Sequence, residues 1–198
     1  MAKSKLETLA RLSGKAAAKA LNALEQRGVD IRGKLSQPIG RIPGRGGATP
    51  ETAATDPEGI YNWRRLDGRI TTSGQPTEAQ LAGLHDLGIR HVINLGLHSH
   101  EKALSDEAGS LSRLGMTYIH IPVDFKNPTE QDFARFSTAM RELEGVPVHV
   151  HCIANYRVSA FLYRYRRDVL GEDEAAARAE MERVWKPDQV WQAFIGRR

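Results

Sequence analysis

From Tyr61 onward the chain alternates short apolar runs with amphipathic stretches, and this rhythm limits the fold more than any other feature. The runs "RITTSG", "IRHVINLGL", "MTYIHIPV" and "VPVHVHC" have the length and β-branched content of strands. Between them lie "PTEAQLAGLHDLG", opened by Pro76-Thr77 and stopped at Gly88, and "EKALSDEAGSLSRLG", stopped at Gly115. A third stretch, "TEQDFARFSTAMRELEG", is capped by Thr129 and stopped at Gly145. A polar opening and a glycine stop are how helices begin and end. "SAFLYRYRRDVLG" follows the last strand, then two more helical segments rich in Ala and Trp. Strand–helix alternation with short connections predicts an α/β domain with a mostly parallel central sheet flanked by helices. Ligands of such sheets bind beyond the carboxyl ends of the strands. Cys152, the single cysteine, stands at one of those ends.

The first fifty residues follow another rule. They carry a charge of +7 and the rest of the chain −3, so the overall +4 belongs to the N-terminal segment. The remainder has no general nucleic-acid footprint, and no nucleic-acid partner is expected. Leu6, Leu9, Ala16, Ala17, Ala20, Leu21 and Leu24 fall near helical spacing, with Lys15, Lys19 and Arg27 off that stripe. "GKLSQPIGRIPGRGGATPETAATDPEG" has little to bury and reads as a flexible linker. The expected division is a basic amphipathic helix and Gly/Pro-rich linker over 1–56 and a catalytic-type domain over 57–198. The basic helix is either simply solvated or a contact for an acidic partner or membrane surface. No apolar run approaches a transmembrane span, and none resembles a signal-peptide core. One cysteine excludes an internal disulfide and a Cys-based zinc finger, which makes a reducing, cytoplasmic compartment the default.

The stretch "VHVHCIANYRVSAF" carries the chemistry. A strand ending at Cys152, a short turn and a helix starting near Ser159 would aim unpaired backbone N–H groups at one point. That arrangement holds anions, and the helix dipole adds positive potential. The same field favours thiolate over thiol. Arg157 supplies a planar two-pronged donor suited to phosphate. Asn155 is the best non-glycine choice for a positive φ in a tight loop. Ser159 is a candidate to cap the helix and to hydrogen-bond the sulfur. The bland alternative is a buried small hydrophobe at the end of a strand.

"VHCIANYRVSAF" resembles the phosphate-binding loop of cysteine-based protein tyrosine and dual-specificity phosphatases. It is more closely similar to a bacterial branch, the DUF442 or beta-lactamase hydrolase-like phosphatase group. "TSGQPTEAQLAGLHDLGIRHVINL", "IPVDFKNPTEQDFARF" and "VWKPDQVWQAFI" also resemble that branch, so the likeness spans roughly Ile60 to Ile195. The broad pattern has five residues between Cys and Arg and a glycine in the loop. This chain has four, with Asn155 at the glycine position and Val158 after the arginine. The bacterial branch tends to share the shorter spacing.

The resemblance implies a phosphatase-like fold and a metal-independent phosphate monoester hydrolase that needs no cofactor. In it Cys152 attacks phosphorus and a cysteinyl-phosphate is hydrolysed by water. Backbone amides of Ile153, Ala154, Asn155 and Tyr156, with Arg157, would neutralise the phosphoryl oxygens. His151 would orient the loop by hydrogen bonding, and Ser159 would help the thiolate leave. The implied partner is a phosphorylated protein or a small phosphate ester.

A leaving alkoxide or phenoxide needs a proton. Asp124, in "IPVDFKNPT", lies between a strand and a helix at the sheet's carboxyl edge and is the candidate acid. Its alternative role is an Asx-turn or helix cap. Asp132 is the weaker candidate. Tyr156 is a candidate wall for the pocket or a packing residue. Three rival functions stand: a phosphate-binding module without turnover, a sulfur transferase working through a Cys152 persulfide, and a metal hydrolase. The last draws on the pairs His98/His100 and His149/His151, joined by Asp124 or Asp106, since His-x-His on a strand shares a face. Trp185 and Trp191 are expected to pack the last helices onto the domain. Arg164, Arg166 and Arg167 are expected on a solvated face, with steering of phosphorylated substrates as the sharper reading.

Overall fold

The computed structural model describes residues 56–197. The helix and linker expected before residue 56 lie outside the described residues. Five strands form one sheet in the order β1-β2-β5-β3-β4. They are β1 (Arg64–Arg65), β2 (Ile70–Ser73), β3 (His91–Asn94), β4 (Thr117–His120) and β5 (Val148–His151). β2, β5, β3 and β4 run parallel, and only β1 pairs antiparallel, with β2. The expected α/β class and mostly parallel sheet are therefore what the chain forms.

The helices are α1 (Glu78–Asp86), α2 (Glu107–Arg113), α3 (Glu130–Glu142), α4 (Tyr156–Arg164), α5 (Glu174–Glu182) and α6 (Gln189–Gly196). A π-helical segment, Tyr165–Val169, continues α4. The boundaries follow local chemistry. Thr77 and Thr129 each close a capping box, with Gln80 and Asp132. Gly88, Gly115, Gly145 and Gly171 all take positive φ just past a helical segment, the backbone region where glycine has least to lose.

The sheet separates two apolar layers. Leu81, Leu84 and Leu111 of α1 and α2 pack with Val92 on one side. Phe133, Phe136, Phe161, Trp191 and Phe194 of α3, α4 and α6 pack with Ile93 and Val150 on the other. Trp191 has no exposed surface, and Phe161 packs edge-on against Phe136 and in a stack with Phe194. Truncating a core ring such as Phe136 to alanine removes about 3–5 kcal/mol. The packing role expected of Trp185 and Trp191 holds.

Three expectations need correction. The helix expected from Glu101 starts only at Glu107. His100 takes up the preceding stretch in turns, accepting from Lys102 N and Ala103 N, and Asp106 is the cap that admits the helix. The helix expected near Ser159 starts at Tyr156, so its first turn lies against the Cys152 loop. The basic run is not a solvated face. Arg164 is 2% exposed, forks onto both oxygens of Glu130 and lies over the rings of Phe133 and Phe194. Arg167 is held by Asp168 and the Ile195 carbonyl, and Arg166 by Glu172. Each of these guanidinium groups is thus paired locally with a carboxylate.

Candidate active site

Parallel register puts Ser73, His151, Asn94 and His120 in one row across the sheet. The chain leaves this row at Gly74, Cys152, Leu95 and Ile121, so the connections that follow share one edge. Cys152, its loop and the Asp124 turn all belong to that edge, as expected for an open parallel sheet.

Asn155 ends the loop after Cys152 and starts α4 in the left-handed region, φ 66°. Its side chain makes no cap bond to the helix. The other five α-helices each have a Thr or Asp side chain accepting from a first-turn amide. Behind Cys152 the first-turn amides are left without such a cap, the arrangement that suits an anion. The loop carbonyls are instead held from outside. Gln75 N donates to Ile153 O at 3.1 Å, and Asn62 Nδ2 donates to Ala154 O at 3.0 Å. Gly74 sits so near that a Cβ there would come within 2.8 Å of Ile153 O. Glycine is required at that position by close approach.

Cys152 has no exposed surface and belongs to the apolar cluster that includes Val150 and Val158. Sequence reasoning expected a sulfur open to its anion. The structure instead buries it at the strand end among apolar neighbours, as the bland alternative predicts.

Arg157 is 7% exposed, and its Nε donates to Val123 O at 2.9 Å. Its guanidinium carbon lies 5.2 Å from the centre of the Phe125 ring. No other described residue hydrogen-bonds its two Nη groups, so both prongs remain available to a ligand. Val123 and Phe125 flank Asp124. The arginine thus ties the candidate acid's turn to the cysteine loop. Asp124 itself is exposed, and its Oδ1 accepts from Lys126 N at 2.9 Å, an Asx-type turn. Asp132 is the capping-box partner of Thr129.

Glu107 is the residue that sequence reasoning missed. It lies on α2, is 3% exposed, and accepts from Asn94 Nδ2 at 2.7 Å, Gln75 Nε2 at 2.9 Å and the Tyr118 hydroxyl at 3.0 Å. His151 Nε2 stands 3.0 Å from Glu107 Oε1, the oxygen that Gln75 also bonds, while His151 Nδ1 lies 3.4 Å from the Cys152 carbonyl. Burial pushes the Glu107 carboxyl up, but His151, Gln75 and Tyr118 together outweigh it and hold the group at about 2. The buried carboxylate therefore stands directly against the histidine that precedes the cysteine. A glutamate in an amphipathic stretch reads as solvent-facing, so nothing in the sequence signals its burial.

His149 is kept neutral, far below the usual histidine range, by burial and by the neighbouring His151. The Ser73 hydroxyl donates to Gly74 O, so it accepts from His149 Nε2, and Thr71 then donates to Nδ1. Both nitrogens are engaged. His98 and His120 stack with ring centres 3.7 Å apart, and His98 Nε2 bonds the Tyr118 hydroxyl. His100 is used in its own turn. Among the described residues no three His, Cys, Asp or Glu side chains are grouped as metal ligands.

Ser159 does not cap the helix, because it lies inside it. Its hydroxyl donates to Tyr156 O at 3.0 Å and accepts from Trp185 Nε1 at 3.1 Å, which leaves it no hydrogen to donate to the sulfur. Tyr156 is half-buried and stacks flat on Trp185, with centres 4.7 Å apart, at the rim of the loop.

Residues 55–192 match the family described as DSP-PTPase phosphatase fused to NAD+ kinase. A DUF442 protein of Shewanella putrefaciens CN-32 is 34% identical, with a TM-score of 0.62 over 70% of this chain and 91% of that one. P. aeruginosa TpbA in complex with phosphotyrosine shares the fold at 22% identity, with a TM-score of 0.54 over 74% of this chain and 91% of that one. The beta-lactamase hydrolase-like protein of Agrobacterium fabrum (strain C58 / ATCC 33970) is 33% identical over 123 residues. That match covers 60% of this chain but 27% of the relative, so the chain spans only a fraction of the relative's length.

Proposed function

This chain belongs to the DSP-PTPase phosphatase family, within its bacterial DUF442 relatives, and from that membership we propose that it hydrolyses phosphate monoesters through a cysteinyl-phosphate. Cys152 Sγ attacks phosphorus in line, and the sulfur–phosphorus bond forms as the ester bond breaks. Asp124 gives its proton to the departing alkoxide or phenoxide. Water then attacks phosphorus and passes a proton to the same carboxylate, and inorganic phosphate leaves as the thiolate is restored. Arg157 and the amides of Ile153, Ala154, Asn155 and Tyr156 hold the equatorial oxygens, where charge is concentrated. Arg157 and the amides supply the neutralisation, so turnover is expected to survive chelation. Cys152 has no exposed surface here, so the entering ester has to uncover the sulfur.

One observation carries this reading: the single uncapped α-helix of the described residues starts behind Cys152 and brings with it an arginine whose two prongs are open. Phosphotyrosine bound to the structurally similar TpbA supports an aryl phosphate as the first substrate to try. The test is p-nitrophenyl phosphate turnover by the wild-type chain and by Cys152→Ser, with phosphate binding followed in parallel. Turnover should fall by at least about 10⁴-fold while phosphate is still bound. Wild-type turnover that persists in the serine variant would remove the covalent mechanism. Thiosulfate:cyanide transfer without phosphatase activity would favour the persulfide reading instead.

A further inference from the structure

Two described residues other than glycine have a left-handed backbone, Asn62 with φ 50° and Asn155 with φ 66°. They are 93 positions apart, yet their segments bind each other reciprocally. Asn62 Nδ2 donates to Ala154 O at 3.0 Å, and Asn155 Nδ2 donates to Asn62 O at 2.7 Å. The second Asn155 Nδ2 hydrogen goes to Thr72 Oγ1 at 2.9 Å. A left-handed residue with a side chain persists only where its surroundings over-determine it. Here each asparagine segment holds the other.

We infer that Asn62 is a positioning residue of the phosphate loop, fixing from outside the peptide planes on which anion binding depends. This rests on reading the Cys152 loop as an anion site. A peptide unit is planar, with its C=O and N–H pointing to opposite sides. A carbonyl pinned from outside therefore sets the direction of the amide that follows it. Asn62 pins Ala154 O and so fixes the plane carrying the Asn155 N–H. Gln75 N pins Ile153 O and fixes the plane carrying the Ala154 N–H.

The residue before Asn62 reinforces the tie. Tyr61 O accepts from Gly74 N at 2.7 Å, and a Cβ on Gly74 would approach Tyr61 O to 3.2 Å. The entry segment, Gly74 and the loop are thus packed backbone to backbone. Asparagine suits position 62 because it tolerates positive φ and also carries a donor. Asn62 touches neither the sulfur nor the phosphate in this scheme and acts only through the loop.

The test compares the full chain with Asn62→Gly, Asn155→Gly and the double variant. Glycine keeps the backbone conformation at either position and deletes only the side-chain donor. The readouts are calorimetric binding of inorganic phosphate, kcat/KM on p-nitrophenyl phosphate, and Tm. Each single variant should weaken phosphate binding and lower kcat/KM by about tenfold, and the double variant should lose little more than the worse single one. Phosphate affinity that stays at the wild-type level in Asn62→Gly, whatever happens to Tm, overturns the inference. A wild-type chain that binds phosphate without turning over would fell only the catalytic reading, and the loss of affinity in Asn62→Gly would still support the positioning role.

Discussion

The starts of α3 and α4 make an instructive pair. At α3, Thr129 and Asp132 satisfy each other's backbone amides in a closed box, so the cap side chain is turned onto its own helix. At α4, Asn155 takes the cap position, turns its amide group back toward Asn62 and Thr72, and leaves the first turn without a side-chain cap. A missing cap lowers helix stability by about 1 kcal/mol. The core compensates for α4, since eight of its nine residues are buried, Phe161 and Leu162 among them. The uncapped start is where the proposed anion would sit, on a helix locked into the core, while the capped start of α3 is closed on itself.

Four substitutions sharpen or break this contrast. Arg157→Ala should cut kcat/KM on an aryl phosphate by about 10³-fold, because it removes the two-pronged donor that completes the uncapped turn. A loss below about tenfold in steady-state kinetics would mean that α4's start binds nothing of consequence. Glu107→Gln should lower unfolding free energy at neutral pH by about 3 kcal/mol, since it breaks a buried charge cluster beside the loop. The sign of its pH dependence follows from a carboxyl held at about 2 rather than its ordinary 4.5. Its stabilisation is complete above the ordinary value and disappears as pH falls through about 2. Denaturant titrations of wild type across that window should show the decline, and the glutamine variant should lack that component.

Asp124→Asn should slow hydrolysis of esters with poor leaving groups by about 10²-fold and of activated esters far less. Equal losses on both would leave Asp124 only its Asx turn. Thr129→Ala is the control on the other helix. It should reduce stability by about 1 kcal/mol, seen as a few degrees in Tm, with kcat/KM unchanged.

Much of the architecture was legible in the chain because its signals are local. Thr77, Thr129, Gly88, Gly115 and Gly145 mark helix ends within a few residues of themselves, and "VHVHC" identifies its strand by alternation. Cys152 and Arg157 could be found for the same reason, as they lie on one loop. Glu107 and Asn62 could not, since each acts on a partner distant in sequence: Glu107 on His151, and Asn62 on a carbonyl 92 positions away. β1 is two residues long and has no pattern to detect. The fate of Arg164 was hidden likewise, because its carboxylate and aromatic partners come from α3 and α6. The burial of Cys152 depends on apolar neighbours drawn from several elements, which no spacing rule encodes.

The burial of Cys152 has a kinetic consequence. With no sulfur surface in reach, iodoacetamide should alkylate the protein only during excursions that expose the thiol. At low reagent the labelling rate should rise with concentration, and at high reagent it should level off at the opening rate itself. The only thiol of the chain then serves as a clock for the motion that uncovers it.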